Sequence, residues 1–234
     1  MSATEHNILS VGQILLTSFY VLIFPILVLF LSGDWDWLEG WILAIWYASV
    51  TLLTLIYLYR NDPALLQERF KPPGAENEER WDQYFLYAIQ ILFWSWIVIM
   101  PLDAKRFGWS PDFPIWLKSL GGVALVPAFF LFYRSFTDNT FLSPLVRIQS
   151  ERKQHVVSTG VYGFVRHPMY LGGICLFIGT PILLGSQFGI LLGLIFSLLL
   201  VARIVGEEKM LVEELEGYEA YKTKVKYRLL PLVW

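Results

Sequence analysis

Between Arg166 and Arg203 the chain runs for about 36 residues without an Asp, Glu, Lys or Arg. A helix rises about 1.5 Å per residue and the hydrocarbon layer of a bilayer is about 30 Å thick, so a run of this length makes two spans joined at the far surface. Its two ends must return to the same membrane face. One end carries Arg166-His167-Pro168-Met169-Tyr170 and Glu207-Glu208 follow the other, so a base-rich corner and an acid-rich corner converge.

Further charge-free runs lie at roughly 6–33, 40–59, 83–102 and 119–133, the last reaching back past Lys118 to Phe113. With 56% hydrophobic and 16% charged residues, the chain reads as an all-α, polytopic membrane protein of about six spans. Met1 to Asn7 have no basic stretch and no small-residue cleavage site, so the first run is expected to be a retained span. The segments 60–82, 134–166 and 203–234 share one face and hold 15 of the 18 Lys and Arg, whereas Asp34, Asp36 and Glu39 make the opposite turn acidic. The positive-inside rule then puts both termini in the cytoplasm. Trp35, Trp37, Trp41, Trp94, Trp96, Trp109 and Trp116 lie near span ends and are expected to face lipid at the interfaces.

Two regions follow from this pattern: residues 1–133 with about four spans, and residues 134–234 with a polar segment, the hairpin and a C-terminal helix. Asn61-Asp62-Pro63 is a helix start, Leu65, Leu66 and Phe70 keep helical spacing, and Lys71-Pro72-Pro73-Gly74 is a stop. The segment is read as a short interfacial helix and an acidic loop, a connector in preference to a substrate gate. Residues 158–163 are rich in small side chains, which let a ligand approach the backbone. Beyond Glu208, Leu211, Leu215, Tyr218, Tyr221 and Val225 recur at helical intervals against charged residues. This is an amphipathic pattern for a helix on the cytoplasmic face, with Gly217 a potential break and Pro231 its end. The single cysteine, Cys175, lies inside a span and is expected to pack as a small apolar residue.

Adjacent residues on a helix point about 100° apart, so Glu207 and Glu208 cannot both face one point. One should face the site while the other pairs with a cation or water. Arg166 and Tyr170 share a face if the turn between them is already helical. Together the corners suit a zwitterionic ligand, with arginine on its carboxylate and glutamate on its ammonium or hydroxyls.

The strings Val157-Ser158-Thr159-Gly160-Val161-Tyr162, Val165-Arg166-His167-Pro168-Met169-Tyr170-Leu171-Gly172, and Arg203-Ile204 with Glu207-Glu208 and Leu211, then Tyr218, Tyr221 and Val225, resemble the isoprenylcysteine carboxyl methyltransferase family and its phospholipid methyltransferase relatives. The resemblance covers roughly residues 139–234 and implies a membrane enzyme that binds S-adenosylmethionine in a non-Rossmann pocket. No strand followed by a G-x-G-x-x-G turn occurs in the sequence. By resemblance, Gly160, Tyr162, His167, Pro168 and Tyr170 line the cofactor pocket, with His155 a further candidate, and Glu207 and Glu208 bind the cofactor's polar groups. Arg166 would hold the cofactor carboxylate or an anionic acceptor, so Arg166 and Glu207 are the expected catalytic pair. A carboxylate acceptor needs no base, whereas an amine acceptor would take Glu207 or Glu208 as its base. The implied acceptor is a lipid, a hydrophobic small molecule or a prenylated peptide, entering from the bilayer; neither a metal nor a nucleic acid is expected.

A second resemblance competes. Tyr227-Arg228-Leu229-Leu230-Pro231 is similar to a string near the C-terminus of sterol reductases, a reading that would put NADPH in the pocket and its 2′-phosphate on Arg147, Arg152 and Lys153. A channel or scaffold is the third reading, disfavoured because ionisable residues are almost absent from the middle of the spans.

Overall fold

The computed structural model describes residues 11–75 and 77–234; the side chains at 11, 14–18 and 20 lie outside that description, as do residues 1–10, on which the expectation about the N-terminus falls. The described chain is helical, with no strand. Helix α1 (Val11–Ser32) is followed by α2 (Leu38–Asn61), the short α3 (Pro63–Glu68), α4 (Arg80–Pro101), α5 (Ile115–Asp138), α6 (Pro168–Leu184), α7 (Gln187–Glu214) and α8 (Tyr218–Lys224). A π-helical turn, Leu102–Arg106, continues α4.

Four helical stretches are long and apolar enough to cross a membrane, namely α2, α4 with its π turn, α5 and α7. Helices α1 and α6 are apolar companions, and α6, at 17 residues, is shorter than an upright span. The hairpin expected from the long charge-free run is α6 and α7, joined by Gly185 in the left-handed region and by Ser186, whose hydroxyl accepts the Gly189 N–H at 2.8 Å.

Lipid tails are as apolar as leucine, so helices in a bilayer associate by close packing rather than by hydrophobic burial. Glycines make that approach possible here. A Cβ on Gly121 of α5 would stand 2.3 Å from the Leu183 nitrogen, and one on Gly193 of α7 would stand 2.1 Å from the Phe177 carbonyl oxygen. The α5–α6 and α6–α7 interfaces are therefore backbone against backbone. The larger core uses Trp37, Met100, Trp96, Phe177 and Phe196, with the last two rings stacked at 3.9 Å.

Two tryptophans depart from the interfacial expectation. Trp37 and Trp96 are buried, and Trp96 Nε1 donates to the Gly189 carbonyl of α7, whereas Trp35, Trp41, Trp109 and Trp116 are exposed as expected. Cys175 is free and half-buried. The C-terminal amphipathic pattern is not one helix: α7 continues through Glu207-Glu208 to Glu214, Gly217 adopts φ +84°, and α8 begins anew at Tyr218. Gly217 is thus the break, and the apolar positions on both sides of it, Met210, Leu211, Leu215, Tyr218, Tyr221 and Val225, close one cluster with Val146.

Candidate functional site

The two corners meet. Arg166 lies before the first residue of α6, in a non-helical segment whose Arg166 and His167 amides donate to the Tyr227 and Arg228 carbonyls at 3.0 and 2.9 Å. Pro168 occupies the first turn of α6, where its missing N–H costs nothing. Buried Glu208 accepts from Arg166 Nε at 2.6 Å and Arg228 Nε at 2.7 Å, and His167 Nε2 lies 3.2 Å from it. Arg166 Nη1 donates to the Val225 and Lys226 carbonyls at 2.7 and 2.8 Å, leaving Nη2 as its remaining donor. Glu208 is thus the glutamate that pairs with cations, and its network ties the C-terminal segment to the start of α6.

Glu207, turned about 100° from Glu208 on the same helix, faces a cavity. Its Oε2 accepts the Tyr170 hydroxyl at 2.7 Å. No ion pair to Glu207 exists among the described residues. The cavity encloses about 800 Å³ of atom-free space, mouth included, and is bordered by Arg166, His167, Tyr170, Glu207, Tyr162, Tyr218, Tyr221, His155, Gln154 and Asn139. Polar groups set among apolar and aromatic walls suit a small-molecule site. Burial raises the Tyr162, Tyr218 and Tyr221 hydroxyls well above the usual tyrosine range, so all three stay protonated donors at neutral pH. The Tyr221 hydroxyl uses that proton on the Tyr162 carbonyl at 2.7 Å.

Of the residues singled out from sequence, Arg166, His167, Tyr170, Tyr162, His155 and Glu207 border this cavity. Gly160, Pro168 and Glu208 stand outside its wall. At Gly160 the closely approaching group is protein: with φ +58°, a Cβ there would stand 1.9 Å from Asp138 Oδ2, the oxygen that accepts the Val161 N–H. Gly160 therefore admits the Asp138 carboxylate that holds the Tyr162 turn. His155 is exposed and packs edge-on to Phe141 at 4.9 Å.

The N-terminal half contributes parts that sequence reasoning missed. Asp82, wholly buried in the first turn of α4, takes a two-point ion pair from Arg203 of α7, Nε to Oδ1 and Nη2 to Oδ2, each 2.8 Å. The same carboxylate accepts the Val146 N–H at 2.7 Å, and Arg203 also donates to the Pro144 carbonyl at 2.7 Å. The loop over the cavity is thereby fastened to two helices. Buried Glu68 does similar work, binding Arg147 through two bonds of 2.9 Å and Ser143 at 2.8 Å. The available signal was an acid at the very start of an apolar run, a position that is costly unless paired.

A second cleft lies toward the apolar middle of the bundle, bordered by Leu86, Ile89, Phe93, Phe132, Phe177, Phe196 and Leu200. Leu145, Met169 and Tyr170 border both spaces. A polar chamber and an apolar cleft thus share one wall.

Two of the three cations that a 2′-phosphate would need, Arg147 and Arg152, are already engaged. Arg147 is paired with Glu68 and Glu151, and Arg152 donates to Gln149 at 2.7 Å and Thr140 at 2.9 Å. The Tyr227-to-Pro231 string supplies the carbonyls that receive Arg166 and His167. The reductase reading therefore loses two of its three phosphate-binding cations.

Comparison with known proteins agrees with the motifs. Residues 118–217 match the model of the phospholipid methyltransferase family. A Schizosaccharomyces pombe protein-S-isoprenylcysteine O-methyltransferase is 38% identical over 88 residues, covering 36% of this chain and 36% of that protein. A Saccharomyces cerevisiae protein of the same name is 40% identical over 86 residues, again 36% of each. The Arabidopsis thaliana protein-S-isoprenylcysteine O-methyltransferase B is 32% identical over 88 residues, 38% of this chain and 41% of its own. The matched stretch is thus well under half of each curated relative. A solved structure of a eukaryotic intramembrane Ras methyltransferase, ICMT, superposes with a TM-score of 0.51 at 21% identity, over 97% of this chain and 88% of that one, and shares the fold. The chain is a multi-pass membrane protein with this helical architecture, and part of it is similar to the phospholipid methyltransferase family and to protein-S-isoprenylcysteine O-methyltransferases.

Proposed function

We propose that the chain is an S-adenosylmethionine-dependent methyltransferase acting on a lipid-like or prenylated acceptor at the cytoplasmic face, with both termini on that side. The observation that carries this reading is the shared wall: a polar chamber whose Glu207 carboxylate has no ion pair among the described residues, separated from an apolar cleft by Leu145, Met169 and Tyr170. The chamber suits the cofactor's chemistry. Glu207 offers a negative charge to an ammonium or to ribose hydroxyls, Arg166 Nη2 remains for a carboxylate, and tyrosine rings favour a cation at roughly 0.5–2 kcal/mol.

When bound, the cofactor supplies a methyl group already activated on a sulfonium. The protein's part is alignment and exclusion of water, worth up to several kcal/mol. Tyr170 fixes the Glu207 carboxylate by its 2.7 Å hydrogen bond and stands at the boundary where donor and acceptor would meet. Glu208 holds Arg166 and His167 in place from outside the chamber. The cleft between α4, α5, α6 and α7 would receive the acceptor's tail sideways from lipid.

The reading is tested by supplying purified protein in detergent with methyl-labelled S-adenosylmethionine and, separately, a farnesylated cysteine and phosphatidylethanolamine. Label transferred to either acceptor supports it, with base-labile label marking an ester and stable label an amine. No transfer together with oxidation of NADPH would overturn it.

A further inference from the structure

Four polar side chains border the apolar cleft: Lys71, Tyr170, Arg203 and Gln90. Three of them are engaged, Lys71 with Glu68 at 2.9 Å, Arg203 with Asp82 at 2.8 Å and Tyr170 with Glu207 at 2.7 Å. Gln90 is different. It is exposed in the cleft, and its side-chain amide makes no hydrogen bond among the described residues.

The position makes this costly. Leu86, Ile89, Gln90 and Phe93 form the stripe that α4 turns to the cleft, and every other member of it is apolar. Gln90 stands about three turns from either end of α4, so its side chain cannot reach water at a membrane surface. It is the one Asn or Gln so placed in a described helix. Ser95, farther along α4, turns its hydroxyl back to the Ile91 carbonyl at 2.9 Å, whereas the Gln90 amide makes no such bond to its own helix. The hydroxyls of Thr54, Ser135 and Thr180 also lack partners, but they are buried between helices, out of a ligand's reach. An amide carries two donor hydrogens and an acceptor oxygen, and lipid tails offer nothing to either. A leucine would complete the stripe without that loss.

Resting on the methyltransferase reading, we infer that Gln90 is a specificity residue that binds an oxygen function partway along the acceptor's tail. The acceptor is then an oxygenated lipid and not a plain hydrocarbon chain. Carbonyl and hydroxyl oxygens share the chemistry required, a lone pair that accepts from Gln90 Nε2. The depth of that oxygen follows from the helix. Asp82 holds Arg203, whose guanidinium carbon lies 5.9 Å from the centre of the Tyr170 ring at the shared wall. Gln90 is roughly 12 Å farther along α4 than Asp82, so the oxygen lies roughly 12 Å from the end of the acceptor that meets the cofactor.

The test uses 10-hydroxystearate, whose hydroxyl stands at about that depth in an extended chain, with 17-hydroxystearate and stearate beside it. Each is titrated by calorimetry into the full chain in detergent, first loaded with S-adenosylhomocysteine. The 10-isomer is expected to bind about fivefold more tightly than the 17-isomer, the worth of one net hydrogen bond. The isomers carry the same groups, so their difference reports the place of the oxygen. Gln90→Leu should erase that preference and tighten stearate binding, while S-adenosylhomocysteine affinity stays unchanged and the thermal midpoint does not fall. Equal affinity for the two isomers overturns the inference, as does binding of none of the three lipids. So does a Gln90→Leu chain that runs as a monomer where the unaltered chain runs as a dimer, because the amide then meets a second copy. Failure of the unaltered protein to bind S-adenosylhomocysteine overturns the methyltransferase reading and this inference with it, and is seen before any lipid is added.

Discussion

The α6–α7 hairpin and the connector between α2 and α4 border the same site, yet they are held by different means. The hairpin is glycine-packed backbone within the apolar layer and a carboxylate network at its mouth, where Glu208 binds Arg166 and Arg228. The connector packs Leu65, Leu66 and Phe70 into a small apolar cluster and is fixed by Glu68 to Arg147, while Asp82 just beyond it binds Arg203. The hairpin leaves one carboxylate on the chamber wall without an ion pair among the described residues, Glu207. The comparison suggests that pairing builds the frame and that Glu207 meets the ligand.

The sharpest way to break this division is to cut the ion pair that joins the two regions. Asp82→Ala strands buried Arg203 and frees the Val146 amide, and should cost about 3–5 kcal/mol, seen as a large drop in the thermal midpoint in detergent. Glu208→Ala should come next, at about 2–4 kcal/mol, because Arg166 and Arg228 lose a shared anion although Arg166 keeps two carbonyl partners. Its signature would be faster proteolysis of the C-terminal segment.

Glu207→Gln should separate binding from stability. The midpoint should correspond to a change of no more than about 1 kcal/mol, since a single hydrogen bond to Tyr170 is altered, while S-adenosylhomocysteine affinity falls on the order of tenfold or more. Equal damage to stability from Glu207→Gln and Glu208→Ala would erase the distinction between them. Smallest of all, Arg152→Ala should change stability by roughly 0.5 kcal/mol or less and leave cofactor choice untouched.

The hairpin and its corners were legible in the sequence because hydrocarbon thickness fixes where a charge-free run must turn. Which glutamate faces the ligand was not, since adjacent helical residues are equivalent until the Arg166 and Arg228 side chains are placed. The Gly160 turn was read as a place for a ligand, but the group it admits is Asp138, a contact between segments that spacing cannot reveal. Trp37 and Trp96 were misplaced for a related reason: proximity to a span end says nothing of which side of the helix meets protein. Asp82 lies in the region where no motif was found, and its role depends on partners more than 60 residues away.

The most direct measurement is calorimetric binding of S-adenosylhomocysteine to the detergent-purified protein, with NADPH titrated in parallel and Glu207→Gln beside the unaltered chain. The account predicts saturable binding of S-adenosylhomocysteine alone, weakened by Glu207→Gln while the helical fold persists. Binding of NADPH alone, or S-adenosylhomocysteine binding indifferent to Glu207, would contradict it.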